Sequence, residues 1–112
     1  MIFRPEQIDA ILRGVKTQSR RRWPTDPPRP QVRVGGTYAA VTSRYTRRCD
    51  APAIIRVTDL ARERLGSITP GDAMREGGYT VVEFAGAWER INGAWNADET
   101  VWMVGFVLEE AR

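Results

Sequence analysis

The densest chemistry in the chain lies in Gly14-Val15-Lys16-Thr17-Gln18-Ser19-Arg20-Arg21-Arg22, which gathers one amine, two hydroxyls and three guanidinium groups. Of the seventeen Lys and Arg residues in the sequence, Lys16 is the only lysine. An amine differs from a guanidinium in that it sheds its proton at accessible pH when it is desolvated or set beside other cations. A lone Lys in an Arg-rich chain therefore points to a position that needs a titratable nitrogen. The rival reading is a solvated cation that complements the dipole at the end of a preceding helix. Histidine is absent. That excludes Ser-His-Asp and Cys-His catalysis, His-bearing zinc sites and imidazole pH switches. Proton transfer here must use Lys, Glu, Asp, Tyr or Cys. The Asp and Glu residues show no metal-ligand spacing, so neither a metal nor a cofactor is expected.

The elements that must position this stretch can be read on either side of it. Met1 to Phe3 suits a short strand, and Pro5 suits the first turn of a helix. Ile8, Ile11 and Leu12 give that helix an apolar stripe, and Gly14 gives it a left-handed stop, so the helix should span about Pro5 to Arg13. Beyond it, Thr17, Ser19 and Arg21 would share one face of an extended segment, opposite Gln18, Arg20 and Arg22. Lys16 and Ser19 would then face opposite ways, so one pocket can use both only if the chain turns near Thr17 and Gln18 or Lys16 reaches round. Trp23 to Gln31, with four prolines, reads as a surface loop. Val32 and Val34 alternate into Gly35-Gly36, and Thr37 to Ser43 reads as a strand. A basic loop, Arg44 to Pro52, follows. Ala53 to Leu65 reads as a long strand with Ile55 and Val57 on one side and Ile54, Thr58 and Leu60 on the other.

Thr69-Pro70-Gly71-Asp72 carries the signals of a helix start, and Gly77-Gly78 ends that helix. A second cap at Thr80, with Glu83 three residues on, opens a helix whose stripe is Phe84, Ala87, Trp88 and Ile91, closed by Asn92-Gly93. Val101 to Leu108 is apolar on both faces and should be a buried closing strand. Helices set among antiparallel-type strands imply an α+β domain built on a small curved sheet or barrel.

At 112 residues the chain should be one domain, 1–112. No apolar run approaches the ~20 residues of a membrane span, no secretory signal is evident, and one cysteine, Cys49, permits no internal disulfide. A cytoplasmic protein with no membrane partner is the expectation. Residues 1–56 carry eleven Arg and Lys16 against four acids, a net +8, and residues 57–112 carry five Arg against ten acids, a net −5, recovering the overall +3. This asymmetry suggests a basic face for a phosphate-bearing partner, unless the halves interleave in space and cancel.

The run Ile11-Leu12-Arg13-Gly14-Val15-Lys16-Thr17-Gln18-Ser19-Arg20-Arg21 resembles the ILxGxKTxTxR signature of ASCH domains. The resemblance continues through Val34-Gly35-Gly36-Thr37-Tyr38, Ile55-Arg56-Val57-Thr58-Asp59, Ser67-Ile68-Thr69 to Ala73-Arg75-Glu76-Gly77, and Val101-Trp102 to Phe106. It implies a PUA-like β-barrel of about five or six strands with two to three flanking helices. It also implies a partner that is RNA or a modified nucleoside. One branch of the family hydrolyses the acetyl amide of N4-acetylcytidine with a Lys, a Thr three residues later and a distant Glu. Carried over position by position, that set falls on Lys16, Ser19 and Glu76, with Ser19 keeping the hydroxyl and losing a methyl group.

In such a site Ser19 would attack the acyl carbonyl and neutral Lys16 would take its proton, which requires the Lys to titrate well below its usual ~10.4. Glu76 would assist deacylation or protonate the leaving N4. Thr17, Arg20, Arg21, Arg22, Arg47 and Arg48 are candidates to hold substrate or nucleic acid, and Tyr38 and Tyr45 are candidates to stack on a base. Two alternatives stand beside the amidohydrolase: a non-catalytic RNA-binding module and a metal-independent ribonuclease.

Overall fold

The computed structural model describes all residues, 1–112. Helix α1 spans Pro5–Leu12, with Arg13 as its cap and Gly14 at φ 76°, the left-handed stop expected from the sequence. It buries Ile8, Ala10 and Ile11, whereas Leu12 stays exposed. The strands are β1 (Gln18–Arg21), β2 (Thr37–Ala40), β3 (Ala53–Arg64) and β4 (Thr100–Ala111), and helices α2 (Pro70–Gly77) and α3 (Val81–Asn92) lie between β3 and β4. All strand pairs are antiparallel, in the order β1-β4-β3-β2, and the sheet curls into a half-barrel. The α+β, PUA-like architecture agrees with the sequence reading, with four strands in place of five or six.

The missing strands have local causes. Met1 to Phe3 forms only a single parallel bridge, Ile2 to Val41, and β2 stops at Ala40, beyond which the Val41 backbone bonds to Met1 and Phe3. Val32 is buried and Val34 exposed, but neither belongs to a strand. The expected alternation of β3 also fails past Val57. A register shift between Val57 and Asp59 inserts one residue, so Leu60 packs on the same core as Ile55 and Val57, while Ile54 joins Val41 and Ala51. Gly105 on β4 faces the bulge: a Cβ there would lie 3.0 Å from the Cβ and Oδ2 of Asp59, so a larger residue would fit only if the Asp59 side chain shifted.

The main core, including Phe3, Ile11, Ile55, Val57, Val104 and Phe106, fills the half-barrel beneath α1. A second core, with Leu65, Phe84, Trp88 and Val101 among its members, seats α2 and α3. Both later helices open on the expected caps: Thr69 accepts from the Asp72 amide and Thr80 from the Glu83 amide, each with a reciprocal carboxylate. Such boxes satisfy amides the first helical turn leaves unpaired, worth about 1 kcal/mol each. The proline-rich loop is tied down where Trp102 Nε1 donates to the Pro24 carbonyl at 2.8 Å. No helix is long and apolar enough to cross a membrane.

Candidate functional site

The end of α1 sets the geometry of the site. Past Gly14 the amides of Val15 and Lys16 both donate to the Ala10 carbonyl, and Thr17 then bridges two elements, donating its amide to Arg75 and accepting from the Phe106 amide. The chain therefore turns before β1 begins at Gln18, which frees Lys16 from strand alternation. Within β1 the alternation holds. Arg21 Nε donates to Ser19 Oγ at 2.9 Å on one face, and Arg20 donates to the Gln18 side chain at 3.1 Å on the other.

Lys16 reaches round, as one of the two sequence expectations required. Its Nζ donates to the carbonyls of Gln18 and Glu76, both at 2.8 Å, and stands 3.5 Å from Glu76 Oε1. Glu76 lies in the last turn of α2, where a carboxylate opposes the helix dipole. Its burial at 5% exposure is sustained by two cations, Lys16 on Oε1 and Arg20 on Oε2 at 3.1 Å. Burial lowers the Lys16 ammonium pKa below its ordinary 10.5; Glu76 opposes that shift, and Arg21 and Arg20 reinforce it.

Lys16, Ser19 and Glu76 line one cleft of about 460 Å³. Arg20 and Arg21 share its polar wall, Phe3 and Arg4 form one flank, and Tyr79, Phe84 and Trp88 form an aromatic flank from the α3 side. Phe3 fixes the cations: its ring centroid lies 4.7 Å from the Arg21 guanidinium and 5.9 Å from Lys16 Nζ. No hydrogen bond joins Lys16 to Ser19; the partner of Ser19 Oγ is Arg21. Arg21 forms no ion pair of its own, so its charge is available to the cleft.

The remaining sequence candidates disperse. Arg20 stays on the cleft wall but is engaged by carboxylates: its side chain is fully buried and faces Glu63 at 2.9 Å, Asp72 at 3.4 Å and Glu76. Arg22 is held by both Glu99 oxygens, at 2.6 and 3.0 Å, and by the Asn92 carbonyl, with its guanidinium over the Trp88 ring. Arg47 pairs with Asp50, Tyr45 projects into solvent beside Arg44, and Thr17 lines neither large cavity. Tyr38 and Arg48 line a second cavity of about 450 Å³, together with Arg21. Phe3, Glu63 and Asp72 went unnoticed as site residues in the sequence. Asp72 was visible only as a helix cap, and nothing local to Phe3 or Glu63 marks them.

Charge also interleaves. Lys16, Arg20, Arg22 and Arg56 all pair with carboxylates of the acidic half, so much of the positive excess of residues 1–56 is cancelled internally.

Among solved structures, an ASCH domain from Lactobacillus crispatus superposes with a TM-score of 0.63 at 18% identity, over 91% of this chain and 69% of that one. A protein from Enterococcus faecalis of the DUF984 family superposes with a TM-score of 0.67 at 14% identity, over 99% of this chain and 79% of that one. The chain has an ASCH-like fold. No family model and no curated protein matches the sequence. In this ASCH-like domain the cleft is bounded by the turn after α1, by β1 and by the end of α2, the three places where the sequence resemblance concentrates its polar residues.

Proposed function

We propose that the domain binds RNA or a modified nucleoside in the 460 Å³ cleft and hydrolyses the N4-acyl amide of an acetylated cytosine there. The observation that carries this reading is the meeting of the only lysine, buried and with a lowered pKa, with a hydroxyl and a carboxyl on one cleft wall. Hydrolysis proceeds in two halves. Ser19 Oγ bonds to the acyl carbon as its proton passes to neutral Lys16, and the oxyanion forms beside the Arg21 guanidinium. Because Arg21 Nε already donates to Oγ, it stabilises negative charge on that oxygen and leaves the hydroxyl hydrogen free to go to a base. The C–N4 bond then breaks, the Lys16 proton moves to the departing amine, and the cytosine amino group is released. Water next attacks the acyl-serine with Glu76 or Lys16 as base, giving acetate and free Ser19.

A second reading, binding without turnover, draws support from the bonding of the two polar tips. Lys16 Nζ donates to two backbone carbonyls and pairs with the Glu76 carboxylate, and Ser19 Oγ is engaged by Arg21. Incubation with N4-acetylcytidine and with structured RNA, in the presence of chelator, separates the readings. Acetate release that is lost in Ser19→Ala and Lys16→Ala supports hydrolysis. Salt-sensitive RNA retention without product supports binding alone, and shortened RNA points to nuclease activity.

A further inference from the structure

The cleft does not stand alone. Arg21 and Ile2 line both it and the second cavity, so the two are neighbours that share these side chains. The second cavity, about 450 Å³, carries Arg21, Arg44 and Arg48 and the half-buried aromatic rings of Trp23 and Tyr38, and its wall contains no Asp or Glu. Eight of the sixteen Arg side chains in the molecule are ion-paired, and none of these three is among them. Arg48 is held in place by two donations to Thr37, which leave most of its fork unused. Arg44 is steadied by the Tyr45 hydroxyl and ring. Three guanidiniums around one acid-free concavity, none of them met by a carboxylate, call for an anion from outside. The guanidinium fork matches tetrahedral phosphate oxygens, and aromatic walls suit a planar ring attached to them.

We propose that the second cavity is a phosphate-ester subsite, in which Arg44 and Arg48 hold a phosphate attached to the nucleoside seated in the first cleft. Arg21 is the residue shared between the subsites. The inference rests on the reading of the first cleft as a nucleoside site, and it makes the preferred ligand a phosphorylated one in place of the free nucleoside.

The test is calorimetric, on the intact chain at fixed salt, with cytidine, its 3′- and 5′-monophosphates and a cytidine dinucleotide, none of which carries an acyl group. Phosphorylated ligands should bind roughly tenfold or more tighter than cytidine. In Arg44→Ala/Arg48→Ala the ratio should fall to about one. Both residues are exposed, so the variants should fold, which circular dichroism would check. Tighter binding of a monophosphate than of the dinucleotide assigns the phosphate to a nucleotide, and the reverse order assigns it to an oligonucleotide strand. The proposal is overturned if phosphorylation brings no gain, if the gain survives the double substitution, or if no ligand of the series binds. Acetate release from N4-acetylcytidine without a phosphate gain removes the subsite alone. A phosphate gain without acetate release removes the hydrolase reading alone.

Discussion

Replacing Glu76 by Gln keeps the side chain's shape and removes its charge from between Lys16 and Arg20. Unit charges separated by the 3.5 Å seen between Lys16 Nζ and Glu76 Oε1 attract by roughly 5 kcal/mol at an effective dielectric of about 20. Water cannot replace that attraction, because the exposed fractions of the two side chains are only 1% and 6%. Arg20 is cushioned by Glu63 and Asp72, so the loss falls chiefly on Lys16. Removing one member of a buried pair typically costs about 3–5 kcal/mol. Deprotonation of Lys16 caps the loss, and we expect Glu76→Gln to cost about 3 kcal/mol, or about 12 °C in Tm for a domain of this size.

The decisive assay is a double-substitution cycle by urea denaturation. Lys16→Met retains the apolar stem and leaves Glu76 still bonded to Arg20, so it should cost less than Glu76→Gln. Once the ammonium is gone, removing the carboxylate charge strands no lysine. The double variant should therefore be more stable than the sum of the single losses by about 2 kcal/mol. Additivity within about 0.5 kcal/mol would show that the pair is not coupled and that its burial is an expense borne by packing elsewhere.

Further outcomes follow from the same contacts. Because Lys16 is the only lysine, 13C labelling at lysine Cε yields one resonance, whose titration midpoint should lie below 10.5 and fall further in Glu76→Gln, since Glu76 is the main influence raising it; a midpoint at or above 10.5 removes Lys16 as a base. The lowered value also sets a sign for stability: between it and 10.5 the unfolded chain binds the extra proton, so Lys16 makes stability rise with pH across that window, and Lys16→Met should flatten the rise. Ser19→Ala should abolish acetate release and cost about 1.5–3 kcal/mol, the worth of its bond from the charged Arg21 guanidinium. Gly78→Ala should destabilise by about 1–2 kcal/mol in thermal melts, because Gly78 sits at φ 78° and a Cβ there would lie 3.2 Å from Val15 Cγ1.

What the sequence disclosed, and what it withheld, divides along the range of the interactions. The caps at Thr69 and Thr80, the stop at Gly14 and the faces of β1 depend on neighbours a few residues away, and all were legible. The fate of Arg20 was not. Within Ser19-Arg20-Arg21-Arg22 it is indistinguishable from a solvated cation, yet Glu63, Asp72 and Glu76 converge on it from β3 and α2. The face on which Leu60 would lie was hidden for a related reason: one bulge after Val57 inverts every later side chain, and the Gly105 that faces it lies on another strand. Lys16 itself was found through composition, since a residue type used once in the whole chain stands out without knowledge of its contacts.

Under the proposed hydrolysis, the contacts of Lys16 would connect binding to turnover. An ammonium with two carbonyl acceptors and a carboxylate is a stabilised acid; to act as a base toward Ser19 it must lose a proton and turn its lone pair into the cleft. The two carbonyl contacts at 2.8 Å are made to the backbone of β1 and α2, and a neutral amine can keep both through its two remaining hydrogens. The Glu76 carboxylate contact at 3.5 Å is the longest of the three and the one made to a side chain, so it is the one that a ligand entering the cleft should displace. Displacement removes the chief influence that raises the Lys16 pKa and leaves burial and Arg21 to lower it. Ligand binding should therefore release a proton. Calorimetry in buffers of different ionisation enthalpy measures that release directly, and its absence in wild type would mean that Lys16 remains a structural cation and that the cleft binds without hydrolysing.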